Sequence, residues 1–227
     1  TDPLATAMAL TRPPGHHATK TLSNGFCIFN FAAAAAIHAV DLGLKVSILD
    51  WDVHYGQGVS NILQHVPQTR YVSMHQAPAF PYQGEKNEIS GACGNILTIP
   101  LPPDSSWTNG YQAFFEKQVL PFVYSSGDDE LDAPLWEPDI VIVCAGYDAL
   151  LSDELASCSL TAADYGKMTQ LLRDKIGHGR SPGGLAKPPS LLFGLEGGYQ
   201  LKKDTQGGNL ADAVVETVKA LGFRSLV

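Results

Sequence analysis

The stretch Asp139-Ile140-Val141-Ile142-Val143-Cys144-Ala145 is apolar without a break from Ile140 to Ala145. A strand that is apolar at both parities is buried on both faces, the state of a strand inside a parallel sheet with helices above and below. The rest of the chain keeps to that frame. Short β-branched or apolar runs at 46–49, 70–74, 95–101 and 190–195 read as further strands. Between and after them, 30–42, 109–124, 161–176 and 211–221 read as helices. The first of these is alanine-rich and stops at Gly43, and Thr161 with Asp164 marks the start of the third. Strands alternating with helices predict a single α/β domain, a parallel sheet flanked by helices on both faces. Residues 76–94, 125–138 and 177–189 read as loops, the last rich in Gly and Pro, and none has the character of an inter-domain linker.

Composition sets outer limits. The chain has 227 residues, 44% of them hydrophobic, enough for one large domain with a sizeable core. A formal net charge of −8, with no basic run longer than Lys202-Lys203, argues against direct nucleic-acid binding. No apolar run is long enough for a membrane span, and residues 1–10 lack the pattern of a signal peptide. The four cysteines, Cys27, Cys93, Cys144 and Cys158, form no CxxC pair. They predict an intracellular, reducing compartment without a disulfide framework. Oligomeric state is not legible.

In open α/β sheets the ligand site lies beyond the carboxyl ends of the strands. There the sequence carries Asp50-Trp51-Asp52-Val53-His54, Gly146-Tyr147-Asp148 and Glu196-Gly197-Gly198-Tyr199, while Arg12-Pro13-Pro14-Gly15-His16-His17 precedes the first helix. Asp52 and His54, two apart on an extended strand end, point to one side. With Asp148 they offer one imidazole and two carboxylates, a set that leaves coordination positions open, as catalytic metal sites do. Zinc is the usual occupant, and iron or cobalt would also suit these donors. His16 and His17, in a stiff Pro-Gly turn, suit oriented acid/base groups. Tyr199, on a glycine corner, suits a donor to a developing oxyanion. Taken singly, each has a plainer explanation: a capping Asp, a packed His, a surface His pair, a turn with a packing Tyr.

Six segments together resemble the histone deacetylase family: RPPGHHA (12–18), GFCIFN (25–30), DWDVHYGQG (50–58), VSMH (72–75), AGYDAL (145–150) and LEGGY (195–199). They stand in the family's order and cover nearly the whole chain. AGYDAL with the following DELAS, and LEGGY, are closer to the class II branch and its bacterial and plastid-type relatives than to class I. The resemblance implies the arginase/deacetylase fold across 1–227 and a zinc-dependent amidohydrolase that cleaves an acetyl-amide with a metal-activated water. It implies zinc on Asp52, His54 and Asp148, and His17 as general base. His16 is then its partner, oriented by Asp50, and Tyr199 hydrogen-bonds the substrate carbonyl and the oxyanion. Phe26 would line one tunnel wall, with Phe80 or Tyr82 opposite and Gly25, Leu155 and Gly198 at the substrate. A structural potassium would sit on the carbonyls of Asp50, Asp52, His54 and Met74 and the Ser73 hydroxyl. The implied partners are acetylated lysine peptides or acetylpolyamines, and the implied setting is chromatin regulation.

The chain departs from the family pattern in places. Tyr55 stands where a second His is common, Phe31 replaces a frequent Asn, and Gln57 takes the place of an Asn or Asp that pairs with the general base. Family members carry a substantial stretch before the RPPGHH segment, so an N-terminally incomplete catalytic domain with an exposed sheet edge is expected. Hydrolysis of N-acetyl-lysine in proteins is the leading expectation. Hydrolysis of a small acetyl-amide such as an acetylpolyamine is the alternative, for which Glu85, Glu88, Asp153 and Glu154 are candidate acidic gates. Two-metal arginase chemistry lacks its bridging carboxylates here. An inactive acetyl-binding or scaffold module is the reading from another class, and the intact His17 and Tyr199 speak against it.

Overall fold

The computed structural model describes residues 5–127, 134–178, 188–203 and 205–222. Seven strands, β1 (Thr6–Ala9), β2 (Val46–Asp50), β3 (Thr69–Gln76), β4 (Glu88–Ser90), β5 (Ile96–Leu101), β6 (Ile140–Ala145) and β7 (Ser190–Leu195), form one sheet in the order β1-β7-β6-β2-β3-β5-β4. Every pairing is parallel except β4 with β5. The edge strands are short, four and three residues, a length that limits pairing with other chains.

Burial on both faces follows from the side-chain parity of β6. Val141, Val143 and Ala145 enter the larger core cluster, while Ile142 and Cys144 enter the smaller one. On the smaller side lie α1 (Phe31–Asp41) and α2 (Gln57–Leu63). On the larger lie the segment built of α3 (Tyr111–Phe114), a π-helical turn (Phe115–Val119) and α4 (Leu120–Val123), and then α5 (Ala162–His178) and α6 (Leu210–Ala220). The buried alanines of α1, Ala32, Ala33, Ala36 and Ala39, let its backbone lie close to the sheet.

Where a single helix over 109–124 is expected, the structure has an α–π–α segment. Pro121 has no N–H to donate to the carbonyl of residue 117, and Leu120 N–H reaches back five residues to the Phe115 carbonyl. The sequence also conceals β1, α2 and β4, so 76–94 is not all loop. At the start of α5, Asp164 Oδ2 accepts both the Thr161 N–H at 2.9 Å and its hydroxyl at 2.7 Å, so the carboxylate is the capping group. In the other two expected loops, Ser125 pairs with Trp136 across a β-bridge, while 128–133 and 179–187 lie outside the described residues. The four cysteines are free thiols, and only Cys93 is exposed. No helix among the described residues is long and apolar enough to cross a membrane.

Candidate metal-dependent active site

Four adjacent strands, β1, β7, β6 and β2, run parallel and deliver the polar segments from their carboxyl ends to one place. After β1 comes the turn with His16 and His17, after β7 Glu196 to Tyr199, after β6 Asp148, and around the end of β2 Asp50, Asp52 and His54. Strand β1 explains why the histidine turn is there at all. It is paired residue for residue with β7, Thr6 opposite Leu191 through Ala9 opposite Gly194.

One oxygen or nitrogen from each of Asp52, His54 and Asp148 lies within 4.8 Å of the others. His54 Nδ1 stands 3.2 Å from Asp52 Oδ1 and 3.0 Å from Asp148 Oδ2. The carboxylates are held by backbone: Gly197 N–H donates to Asp52 Oδ2 at 2.7 Å, and Val53 N–H to Asp148 Oδ1 at 2.9 Å. Two glycines make room for them. A Cβ on Gly146 would fall 2.1 Å from Asp52 Oδ2, and one on Gly197 would fall 2.2 Å from Asp148 Oδ2. Two buried carboxylates and an imidazole converging in a cradle with no space for a methyl group are a donor set that fits a divalent cation.

The electrostatics agree. Burial opposes the charge on His54, but its hydrogen bonds to Asp148 and Asp52 outweigh that and push its pKa up to about 10. Burial and the neighbouring Asp52 raise Asp148 to about 6. Burial works against the Asp52 carboxylate too, yet His16 and His54 hold it charged, well below the usual carboxylate range. A field that retains a proton on His54 favours a bound cation in the same position.

His16 and His17 have opposite characters. His16 Nδ1 donates to Asp50 Oδ2 at 3.0 Å, and the same oxygen accepts the Tyr71 hydroxyl at 2.8 Å. Against the cost of burial, Asp52, Asp50 and Glu196 hold its pKa well above that of a free imidazole. Burial and the charge on His16 push His17 down to about 3, so it is neutral. Gln57 Nε2 donates to the His17 carbonyl at 3.4 Å, which turns Oε1 toward His17 Nδ1 at 2.7 Å. Nδ1 then carries the hydrogen, and Nε2 holds the free lone pair. The turn is pinned from below by Glu196, whose Oε2 accepts the N–H groups of Gly15 at 2.6 Å and His16 at 3.0 Å. It is also pinned by Asn30, which caps α1 and donates to the Ala18 carbonyl.

These groups open into a cavity of about 420 Å³ lined by His16, His17, Asp52, His54 and Tyr199 and walled by Phe26, Phe80 and Leu155. Gly25 and Phe26 both have left-handed backbone, φ 50° and 65°. A side chain on Gly25 would strike the His17 ring at 2.3 Å. The Phe26 ring stands exposed at the mouth, 6.0 Å from that of Tyr199. Opposite is Phe80, edge-on to His17 at 5.0 Å and 6.4 Å from His54. Tyr82 lies outside this lining, 71% exposed. Of two aromatics two residues apart, the chain turns the first inward. Gly198 also lies outside the lining. Sequence reasoning missed that Arg12 donates to the Gly198 carbonyl and that Glu196 holds the histidine turn, and it gave Asp153, which accepts the Tyr199 N–H, a different role. Arg12 and Glu196 stand inside the RPPGHHA and LEGGY segments, but what they and Asp153 Oδ2 hold is backbone far along the chain, which no local pattern shows.

The histone deacetylase domain family matches residues 2–217 of the chain. The uncharacterized protein slr0245 of Synechocystis sp. (strain ATCC 27184 / PCC 6803 / Kazusa) is 40% identical over 216 residues, 94% of this chain and 61% of that protein. Histone deacetylase 15 of Arabidopsis thaliana is 36% identical over 200 residues, 86% of this chain and 32% of that protein. Among solved structures, the acetylpolyamine aminohydrolase from Burkholderia pseudomallei superposes with a TM-score of 0.74 at 25% identity, over 96% of this chain and 56% of that one. The chain thus spans less than two thirds of the length of each of these relatives.

Proposed function

The chain belongs to the histone deacetylase domain family, and from that premise we propose that it hydrolyses the acetyl-amide of N-acetyl-lysine in proteins, with zinc held by Asp52, His54 and Asp148. One observation carries the proposal. Asp52 and His54, with Asp148 beside them, share one cavity with the neutral buried imidazole of His17 and the Tyr199 phenol, and its walls are apolar. Such a tunnel takes an alkyl chain ending in a neutral amide, which is what acetylated lysine offers.

Zinc, when bound there, polarises the acyl carbonyl and acidifies a water. The chain's residues do the rest. His17 Nε2 takes a proton from the attacking water as its oxygen bonds to the acetyl carbon. His17 Nδ1 keeps its hydrogen on Gln57, so the ring does not turn away. Tyr199 donates its hydroxyl hydrogen to the carbonyl oxygen as that oxygen gains charge. Burial, Asp52 and Asp148 hold the phenol's pKa above its ordinary value, so it remains a donor. The C–N bond then breaks, the amine leaves with a proton returned from the histidine pair, and acetate remains. The charged His16 beside His17 disfavours a second proton on the ring, which keeps the Nε2 lone pair free until the water gives up its proton.

Acetylpolyamines are the competing substrates. The carboxylates that could hold their second ammonium are turned to other tasks or other places. Both oxygens of Asp153 accept backbone N–H groups, Glu154 faces Lys202 at the exposed surface, and neither Glu85 nor Glu88 lines the cavity. This supports the protein substrate.

We also assign a structural potassium to the carbonyls of Asp50, Asp52, His54 and Met74 and the Ser73 hydroxyl. His75 Nε2 donates to the Gly84 carbonyl at 3.0 Å, leaving Nδ1 to accept from Ser73 Oγ at 3.0 Å. The serine hydrogen is thereby directed away from its lone pairs, which suits a cation ligand.

The test is hydrolysis of a fluorogenic acetyl-lysine peptide beside acetylspermidine, with and without a hydroxamate chelator and added zinc. Zinc-dependent, hydroxamate-sensitive turnover that favours the peptide is the expected result. Equal or better turnover of acetylspermidine would sink the protein-substrate reading.

A further inference from the structure

We propose that Arg12 and Asp153 are positioning residues for Tyr199, gripping the Gly198–Tyr199 peptide from its two sides and so fixing where the phenol stands. The proposal rests on the reading of Tyr199 as oxyanion donor.

The geometry is that of a clamp on one peptide unit. Arg12 Nη2 donates to the Gly198 carbonyl at 2.6 Å. The N–H of the same unit, that of Tyr199, donates to Asp153 Oδ2 at 2.8 Å. In a trans peptide the C=O and N–H point in opposite directions, so the two side chains act from opposite sides. The clamp is placed where the backbone needs one. Gly198 has φ 122°, a region open to glycine, and Gly197 precedes it. Two glycines leave the peptide plane free to turn unless something outside the segment holds it.

Each arm also reaches further into the site. The Arg12 guanidinium carbon lies 5.3 Å from the centre of the Tyr199 ring, so one cation holds the peptide and faces the ring. Arg12 begins the turn that carries His16 and His17. Glu196, just before the glycine pair, answers by accepting the N–H groups of Gly15 and His16. The turn with the base and the corner with the phenol are therefore tied to each other in both directions. Asp153 is 7% exposed, and its other oxygen accepts the Leu155 N–H at 3.0 Å. A single buried carboxylate thus sets both Tyr199 and the Leu155 wall.

A donor aimed at an oxyanion depends steeply on placement, so losing either arm is expected to lower kcat more than it raises KM. The decisive measurement is a double-mutant cycle on the acetyl-lysine peptide. Arg12→Ala and Asp153→Asn should each lower kcat by about tenfold or more in the parent chain. Arg12→Ala should cost nothing further in a Tyr199→Phe background, because it acts through the missing hydroxyl. Added guanidinium should restore Arg12→Ala in part, and should not restore Arg12→Ala/Tyr199→Phe. Equal losses in both backgrounds would overturn the proposal, as would a loss confined to KM.

A second measurement does not need turnover. With carbon-13-labelled tyrosine, the Tyr199 ring resonance, identified by its absence in Tyr199→Phe, should shift or broaden in Arg12→Ala and in Asp153→Asn while the other tyrosines stay put. A Tyr199 signal unchanged in Arg12→Ala would overturn the clamp. A parent chain that hydrolyses no acetyl-amide would instead overturn the proposed function, and the ring resonance would still decide the clamp. If Asp153→Asn does not fold, Arg12→Ala and its rescue carry the test alone.

Discussion

His17 Nδ1 lies 2.7 Å from Gln57 Oε1, the first residue of α2, and the glutamine's own NH2 returns to the His17 carbonyl. A neutral amide therefore orients the base without adding charge to it. Gln57→Glu replaces the amide with a carboxylate, which stabilises the imidazolium and raises the His17 pKa from about 3, by about one to three units. The base must be unprotonated to act, so activity rises as pH climbs through its pKa. The rising limb assigned to His17 should accordingly move to higher pH in Gln57→Glu. Gln57→Leu should lower kcat by roughly tenfold or more without such a move. Profiles of kcat/KM against pH for the three proteins check this, and coincident limbs would remove Gln57 from the base.

Zinc uptake should release protons, in a number that depends on pH. His54, with its pKa raised to about 10, carries a proton at pH 8 that the metal must displace. Asp148, raised to about 6, carries a second one below that pH. Lower pH therefore opposes binding, with about one proton released per zinc at pH 8 and approaching two at pH 5. Calorimetric titration with zinc in buffers of different ionisation enthalpy measures the number directly. An affinity independent of pH would contradict the ligand set.

The cradle around the carboxylates can be tested without touching a ligand. Gly146→Ala and Gly197→Ala would each place a methyl group within 2.1–2.2 Å of a ligand oxygen, closer than any relaxed contact allows. Both should reduce bound zinc from about one per chain to a small fraction, and the thermal stabilisation by added zinc should shrink with it. Gly194→Ala, on β7 with nothing within 4 Å of its Cβ position, is the control. Metal content by elemental analysis, with melting temperature at several zinc concentrations, gives the answer.

The features legible in the sequence are those whose cause is local. The apolar run of β6, the alanine face of α1 and the strand-end motifs all carry their signal within a few residues. The chain hid what is fixed from afar. β1, Thr-Ala-Met-Ala, has neither a β-branched run nor strong alternation, and it is a strand because β7 pairs with it. β4 has three residues and exists through its pairing with β5. α2 begins inside a motif whose residues read as chemistry, so its helical character went unseen. By its sequence Asp153 reads as an acid that could gate an amine, and only the fold brings the Tyr199 N–H, 46 residues on, to its second oxygen.

The second tunnel wall was ambiguous for the same reason, and it gives the last prediction. Phe80 and Tyr82 are both aromatic, two apart, in a segment with cis peptide bonds before Pro78 and Pro81. The segment's far end is tied back where Gly84 accepts from His75. Phe80 faces His17 and His54 across the cavity, while Tyr82 stands outside. An alkyl chain in the tunnel would bury surface against Phe80 and none against Tyr82. Removing the Phe80 ring should cost on the order of 1–2 kcal/mol of substrate contact, a rise in KM of about tenfold, with kcat changed less because Gln57 still orients His17 when the ring packed on its edge is gone. Tyr82→Ala should leave both constants within about twofold, since the ring makes no contact in the tunnel. Steady-state kinetics of Phe80→Ala and Tyr82→Ala on one acetyl-lysine peptide separate the two residues. If Tyr82→Ala carried the larger KM effect, the wall would have to be reassigned to the outer aromatic.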